Sequence, residues 1–343
     1  MVHESPLSLL TCVDSVPRHA FIPAPTPLER GPELAGGARL WIKRDDLTGL
    51  AAGGNKVRKL EFLCADAIAQ GARSLVTVGA AQSNHCRMTA AAGSVLDLEV
   101  HLVLSGDRPK RVEGNQLLSQ LFGAQLHFSG AGDHEWGVLE MSREAVTEQL
   151  IAQGLTPYSI PIGGSTDVGA LGYARAMIEL AEQWQSLGMC PRAVVHTTSS
   201  GGTHAGLVAG RALLRHGGYA VPDVIGIGVA KGVNLGRPDV AQLARAALSR
   251  IGMEHVAVHD DDVIIDPSWI GEDYAIPTAA GDDAIRWAAR TGGWVLDRVY
   301  SGKGLSGLLG RAAAGEWTAG DDVIFIHTGG LPSVFVADGA PPG

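Results

Sequence analysis

The chain has 343 residues, 45% hydrophobic and 18% charged, which fills a core in each of two lobes and excludes a disordered or fibrous chain. A formal net charge of -9 and a pI near 5.7 exclude electrostatic attraction to nucleic acid or to an anionic membrane surface. Residues 1–30 show no basic segment leading into an apolar run, and no stretch approaches the roughly 20 apolar residues of a spanning helix. A cytoplasmic protein is expected.

Short apolar runs rich in β-branched residues alternate with longer segments of helical periodicity, which predicts βαβ units and mostly parallel sheet. In chain order the predicted strands are Leu40 to Lys43, Ser74 to Val78, Glu99 to Leu104, Gln125 to Phe128, Ser159 to Ile162, Ala193 to Thr197, Val224 to Val229, Val295 to Asp297 and Val323 to His327. Helices are predicted in most gaps, among them Asn84 to Leu96, one starting near Ala170, and Ala205 to Leu214. The 46 glycines suit tight strand-to-helix turns. The proline-rich ends, Pro23 to Pro27 and Pro341-Pro342, read as a leading segment and a tail. The chain is expected to cross between lobes near Ala51 to Gly54 and again over Gly163 to Gly169.

Cys12, Cys64, Cys86 and Cys190 show no CxxC spacing and are expected to be reduced and mostly buried. The run His259-Asp260-Asp261-Asp262 lacks the Gly turn and distal Glu of a calcium loop, so it reads as a solvated strand end and no metal is expected.

Three clusters carry candidate chemistry. The first, Gly53-Gly54-Asn55-Lys56-Val57-Arg58-Lys59, sets glycines before a helix start with three basic side chains. Asn55 is expected to cap that helix, and a lysine in a partly apolar cleft beside other cations has a lowered pKa and can attack carbonyls. Taken alone, the cluster also reads as a solvated basic helix start. The second, Ser199-Ser200-Gly201-Gly202-Thr203-His204-Ala205-Gly206, lies between a strand and a helix. Free backbone N–H groups and the helix dipole make such a loop a cup for a phosphate. It lacks the Gly-Lys-Ser/Thr of a P-loop and the dinucleotide GxGxxG, so a phosphate monoester fits better than a nucleotide. Gly226-Ile227-Gly228-Val229-Ala230-Lys231-Gly232 matches that fingerprint only superficially, since its first glycines lie inside a strand and the third falls one residue late. The third cluster, Gln82-Ser83-Asn84-His85, follows a strand's carboxyl end, where α/β sheets bind ligands; Ser83 and Asn84 equally suit a helix cap.

Together with Gly169-Ala170-Leu171-Gly172-Tyr173, these linked motifs resemble the family of 1-aminocyclopropane-1-carboxylate (ACC) deaminase and D-cysteine desulfhydrase, from Thr26-Pro27 to His327-Thr328-Gly329-Gly330. The resemblance implies a two-lobed α/β fold of the tryptophan-synthase-β-like kind, fold type II, with pyridoxal phosphate (PLP) in the cleft. It implies a small lobe over residues 53–166, a large lobe from 1–52 and 167–343, and a homodimer. Lys56 matches the lysine that holds the cofactor as a Schiff base, and Asn84 the partner of its phenolic oxygen. Lys59, Ser200, Gly201, Gly202 and Thr203 match the phosphate site. Ser83 matches a serine near the substrate carboxylate, and Tyr274 and Tyr300 match two active-site tyrosines.

ACC deaminases carry Tyr-Glu-Gly-Lys and His-Leu-Gly-Gly where this chain has Tyr300-Ser301-Gly302-Lys303 and His327-Thr328-Gly329-Gly330, and Gln at the position of His85. Ser301, Thr328 and His85 side with the desulfhydrases, and by that resemblance Ser301 and Thr328 imply hydroxyl neighbours instead of a carboxylate at the pyridine nitrogen. Ser199, Ala275 and Arg298 depart from the desulfhydrase pattern beside the cup and the two tyrosines. The implied reaction is β-elimination from a small β-substituted amino acid, D-cysteine first. L-cysteate sulfo-lyase, ACC deaminase and β-replacement activity are the alternatives, with a non-catalytic PLP-binding protein as the remote one.

Overall fold

A computed structural model describes residues 5–231, 237–337 and 339–341. Gly232 of the superficial fingerprint and Pro342 of the tail lie outside the described residues.

The strands are β1 Leu28–Glu33, β2 Arg39–Lys43, β3 Ser74–Gly79, β4 Glu99–Leu104, β5 Gln125–Phe128, β6 Pro157–Ile160, β7 Ala193–Thr198, β8 Asp223–Gly228, β9 Ile264–Asp266 and β10 Asp322–Ile326. The helices are α1 Leu10–Val13, α2 Lys56–Ala69, α3 Asn84–Val95, α4 Gly114–Leu121, α5 Trp136–Ala152, α6 Asp167–Ser186, α7 Gly202–His216, α8 Arg237–Arg250, α9 Ala279–Gly292 and α10 Ser301–Ala313. Among the described residues these strands form a six-stranded sheet, ordered β1-β2-β10-β7-β8-β9, and a four-stranded sheet, ordered β5-β4-β3-β6. Every pairing is parallel except β1 with β2. Residues of β3, β7 and β10 are buried throughout, polar ones included, as expected of inner strands of parallel sheets.

The differences from the expected elements have local causes. Strand β1 lies outside the predicted set, because its sequence LERGPE is charged and contains proline; it survives as the antiparallel edge of its sheet. Strand β9 is a three-residue edge. The expected strand Val295 to Asp297 is irregular: the Asp297 N–H donates to Ser301 Oγ within a turn, so no ladder can form there. Strand β6 ends two residues early, because Pro161 follows it and Ile162 begins a 3-10 turn. The expected strand end at His259 to Asp262 is instead a 3-10 turn, in which Asp262 pairs with Arg211 at 2.8 Å and Arg215 at 2.7 Å. Of the cysteines, Cys64 and Cys86 are buried, Cys12 is half-buried and Cys190 is exposed.

Two glycines let the central helices touch. A Cβ at Gly172 would sit 2.2 Å from the Arg58 carbonyl oxygen, and one at Gly206 would sit 2.3 Å from that of Ala170. Larger residues there would push α2 and α7 away from α6. A buried charge network locks α2 and α6 to the segment before α2. Arg58 donates to Asp45 and Glu179, Lys43 donates to Glu179 at 2.6 Å, and the Tyr173 hydroxyl donates to Asp45. Lys43 and Asp45 are thereby absorbed into structure.

Candidate active site

One cavity lies where the carboxyl ends of β3 and β7 face the N-termini of α2, α3, α7 and α10. Its wall contains Lys56, Ser83, Asn84, His85, Ser200, Gly201, Thr203, Tyr274, Tyr300 and Thr328. Three further expected residues, Lys59, Gly202 and Ser301, pack behind that wall. Asn55, Trp136 and Asp297 line it without belonging to the expected set.

The three basic residues at the start of α2 go to three places. Lys56 faces the cavity and donates to Asn55 Oδ1 at 3.1 Å. Burial lowers its pKa to about 8, with Arg87 pulling the same way and Asp297 opposing. Arg58 turns into the buried network. Lys59 is buried, donates to the Gly163 carbonyl at 2.9 Å, and has no carboxylate within ion-pair distance among the described residues. Burial and the neighbouring Lys56 hold its pKa well below the usual lysine value. Asn55 does not cap α2 with its side chain; its amide instead spans Lys56 Nζ and Thr203 Oγ1, the latter at 3.2 Å.

The cup is built at the start of α7. Gly201 takes the left-handed region at φ 80° and, as the N-cap, offers no side chain to the helix, so the N–H groups beyond Gly202 keep their dipolar pull on an anion. Ser165 closes one side: its hydroxyl donates to Ser200 Oγ at 2.8 Å and accepts from the Gly202 N–H at 3.2 Å. A Cβ on Gly202 would come within 2.6 Å of Ser165 Oγ and 2.7 Å of Lys59 Nζ. A buried lysine amine without a carboxylate, set beside a helix start whose N-cap glycine has no side chain, fits a phosphate monoester.

On the opposite wall, Ser83 caps α3 by accepting from the Cys86 N–H at 3.1 Å, which leaves its own O–H free to donate. Asn84 Oδ1 accepts from Asn115 at 3.1 Å and Arg87 at 3.3 Å, so its Nδ2 remains as a donor suited to a phenolic oxygen. The Thr77 hydroxyl donates to the Ile160 carbonyl and must accept from His85 Nε2 at 2.8 Å, leaving His85 Nδ1 as an unpaired acceptor. Burial, Lys56 and Lys59 keep His85 neutral, well below the usual imidazole pKa.

Tyr274 and Tyr300 hydrogen-bond through their hydroxyls, and Trp136 meets the Tyr274 ring edge-on at 4.8 Å. Burial, with Tyr300 as the next cause, raises the Tyr274 pKa well above that of free tyrosine; burial raises Tyr300 too. Both are therefore O–H donors at neutral pH. Ala275 sits at φ 60°, which explains why a glycine suits that position. Arg298 pairs with Asp282 at 2.8 Å, so this departure serves the contact with α9.

Asp297, a carboxylate outside the expected set, lines the cavity together with Thr328, while Ser301 is fully buried and does not line it. Asp297 stands four residues before α10 and accepts from the N–H groups of Val299, Tyr300 and Ser301 leading into that helix.

The chain matches the profile of the family described as pyridoxal-phosphate dependent enzyme over residues 20–329. It belongs to that family. The D-cysteine desulfhydrases of Salmonella typhimurium and Salmonella newport are each 38% identical to it over 328 residues, covering 93% of this chain and 95% of theirs. A crystal structure of an ACC deaminase homologue superposes with a TM-score of 0.84 at 35% identity, covering 97% of both chains. The processed form of threonine deaminase isoform 2 from Solanum lycopersicum, at TM-score 0.63 and 15% identity over 94% of this chain and 84% of that one, shares the fold. The fold is type II and the cofactor is pyridoxal phosphate. This PLP enzyme has no helix among its described residues long and apolar enough to cross a membrane.

Proposed function

We propose that this enzyme is a β-elimination lyase that converts D-cysteine and water to pyruvate, ammonia and hydrogen sulfide. What carries the reading is the placement of Lys56, with its amine pKa near 8, in one cavity with Ser83 and the paired tyrosines, in a chain 38% identical to D-cysteine desulfhydrases.

In this reading Lys56 holds the cofactor, Asn84 addresses its phenolic oxygen, and Lys59, Ser200, Gly201, Gly202 and Thr203 hold its phosphate. When bound, PLP supplies an electron sink for the pair freed at the substrate Cα. The Lys56 amine would be the base for the substrate Cα proton, since a base with a pKa near 8 is largely competent at mildly alkaline pH. Ser83 donates its free O–H to the substrate carboxylate or assists the proton transfer. Tyr274 and Tyr300 share one hydrogen bond, so the pair keeps a second O–H for the departing sulfur. His85 and Thr328 complete the substrate and cofactor walls.

We also take residues 53–166 as the small lobe and 1–52 with 167–343 as the large one. A cytoplasmic homodimer acting on a small amino acid follows from the family resemblance.

A second reading, ACC opening, draws support from Asp297, because a carboxylate in the cavity favours a protonated pyridine ring. One assay separates the readings: pyruvate, sulfide, sulfite and 2-oxobutyrate release from D- and L-cysteine, L-cysteate, D-serine, β-chloro-alanine and ACC. Sulfide from D-cysteine is expected to dominate. ACC opening at a comparable rate, or sulfite from L-cysteate alone, would overturn the D-cysteine assignment.

A further inference from the structure

Arg87 is the largest fully buried side chain, at 0% exposure, and the reading above gives it no role. It lies on α3 one turn after Asn84. Its Nη1 donates to Asn84 Oδ1 at 3.3 Å and Asn115 Oδ1 at 3.0 Å, and its Nη2 donates to the Gly53 carbonyl at 2.8 Å. Its Nε has no partner. Among the described residues no carboxylate lies within ion-pair distance of this guanidinium, in contrast to Arg58, which has two. An isolated buried cation is costly, so it is kept where its charge and fork geometry serve a purpose.

The geometry points to Arg87 as a positioning residue that acts on the cofactor through Asn84 and places a fixed positive charge beside Lys56. Both acceptors on its Nη1 are amide oxygens. Asn115 Nδ2 in turn donates to Asn84 Oδ1 at 3.1 Å and to the Gln82 carbonyl at 2.9 Å, so neither amide can rotate without losing a bond. Asn84 must then present its N–H groups to the cavity, polarised by the cation on its oxygen. The bond to Gly53 fixes the loop three residues before Lys56, tying the lysine's approach to the same side chain. Burial keeps Arg87 itself at a pKa of about 10, still charged at neutral pH, and its charge is among the causes that lower Lys56.

This inference rests on the reading that Asn84 binds the cofactor, and a double-mutant cycle separates the two. PLP dissociation constants are measured for the native enzyme, Arg87→Lys, Asn84→Ala and the double variant. Arg87→Lys keeps the charge and loses the fork; it is expected to weaken PLP retention about 10-fold with native Asn84 and hardly at all in the Asn84→Ala background. Equal losses in both backgrounds would overturn the positioning role. If Asn84→Ala alone leaves PLP binding intact, the placement of Asn84 fails instead, and the inference falls with it. The second readout is the pH transition in the visible absorption of the holoenzyme. Arg87→Gln should raise it by about one unit, because a cation beside the lysine nitrogen is gone, whereas Arg87→Lys should leave it in place. A folded Arg87→Gln enzyme with an unmoved transition would overturn the electrostatic role. Should Arg87→Gln fail to fold, the transition in Arg87→Lys still decides, since a large shift there would show that charge was not what set it.

Discussion

Beside the cavity the Ser301 hydroxyl donates to Asp297 Oδ2 at 2.7 Å, while Asp297 Oδ1 accepts from the N–H groups of Val299 and Tyr300 at 2.8 and 2.7 Å. The serine thus spends its proton on the carboxylate and cannot offer it to a ring nitrogen without breaking a charge-assisted bond. Asp297, which opposes the lowering of the Lys56 pKa, becomes the group that sets charge at this end of the site.

Asp297→Asn should therefore lower the Lys56 pKa further below 8, and destabilise the start of α10 by about 1–3 kcal/mol through a lost acceptor. Urea denaturation and the pH dependence of cofactor uptake measure the two effects. A native pH dependence would show that the carboxylate does not act on the lysine.

Lys56 itself makes a prediction in pH. Its amine, with a pKa near 8 instead of 10.5, is neutral and nucleophilic only above that value, so PLP uptake by the cofactor-free protein should rise through pH 8. The sign for stability follows from the same shift. The unfolded chain holds the proton up to pH 10.5 and the folded one releases it near 8, so the cofactor-free protein gains stability as pH rises between them. Borohydride reduction should fix the cofactor on the Lys56 peptide, and Lys56→Ala should abolish both labelling and turnover. Label on another lysine would remove Lys56 from its role.

The phosphate cup is tested by size. Gly202→Val would drive a side chain into Ser165 and Lys59, and should weaken PLP retention by at least about 10-fold, or roughly 1.4 kcal/mol. Thr203→Ala removes only the acceptor of Asn55 Nδ2 and a hydroxyl facing the cavity, so its effect should be smaller. Equilibrium dialysis of PLP against each variant gives the order. Equal, native affinities would move the phosphate elsewhere.

Arg58 belongs to the framework instead. Arg58→Ala would leave Asp45 in the core without its cation and Glu179 with Lys43 alone, at a cost of about 3–5 kcal/mol in denaturant unfolding. In whatever fraction still folds, the visible absorption of the cofactor should be native, because Arg58 does not line the cavity.

The alternation of strand and helix, the parallel sheets, and the cluster of Lys56, Ser83, Asn84, Gly201 and Thr203 are legible in the sequence, because Ser83, Asn84, Gly201 and Thr203 lie where a strand's carboxyl end meets a helix start and Lys56 opens a helix after a glycine pair. Those features are local: an apolar run, a glycine turn and a capping residue are read within a dozen positions. Tertiary structure alone decided which of Lys56, Arg58 and Lys59 faces the cavity, since three basic residues on one helix turn point apart and only their partners sort them. It also decided that Asn55 reaches Thr203, 148 positions away, in place of capping its own helix. The same holds for Asp297, Trp136 and Ser165, brought to the site from distant segments. Their chemistry depends on hydrogen bonds and burial that form only when the chain folds, and no spacing in the sequence encodes those distances.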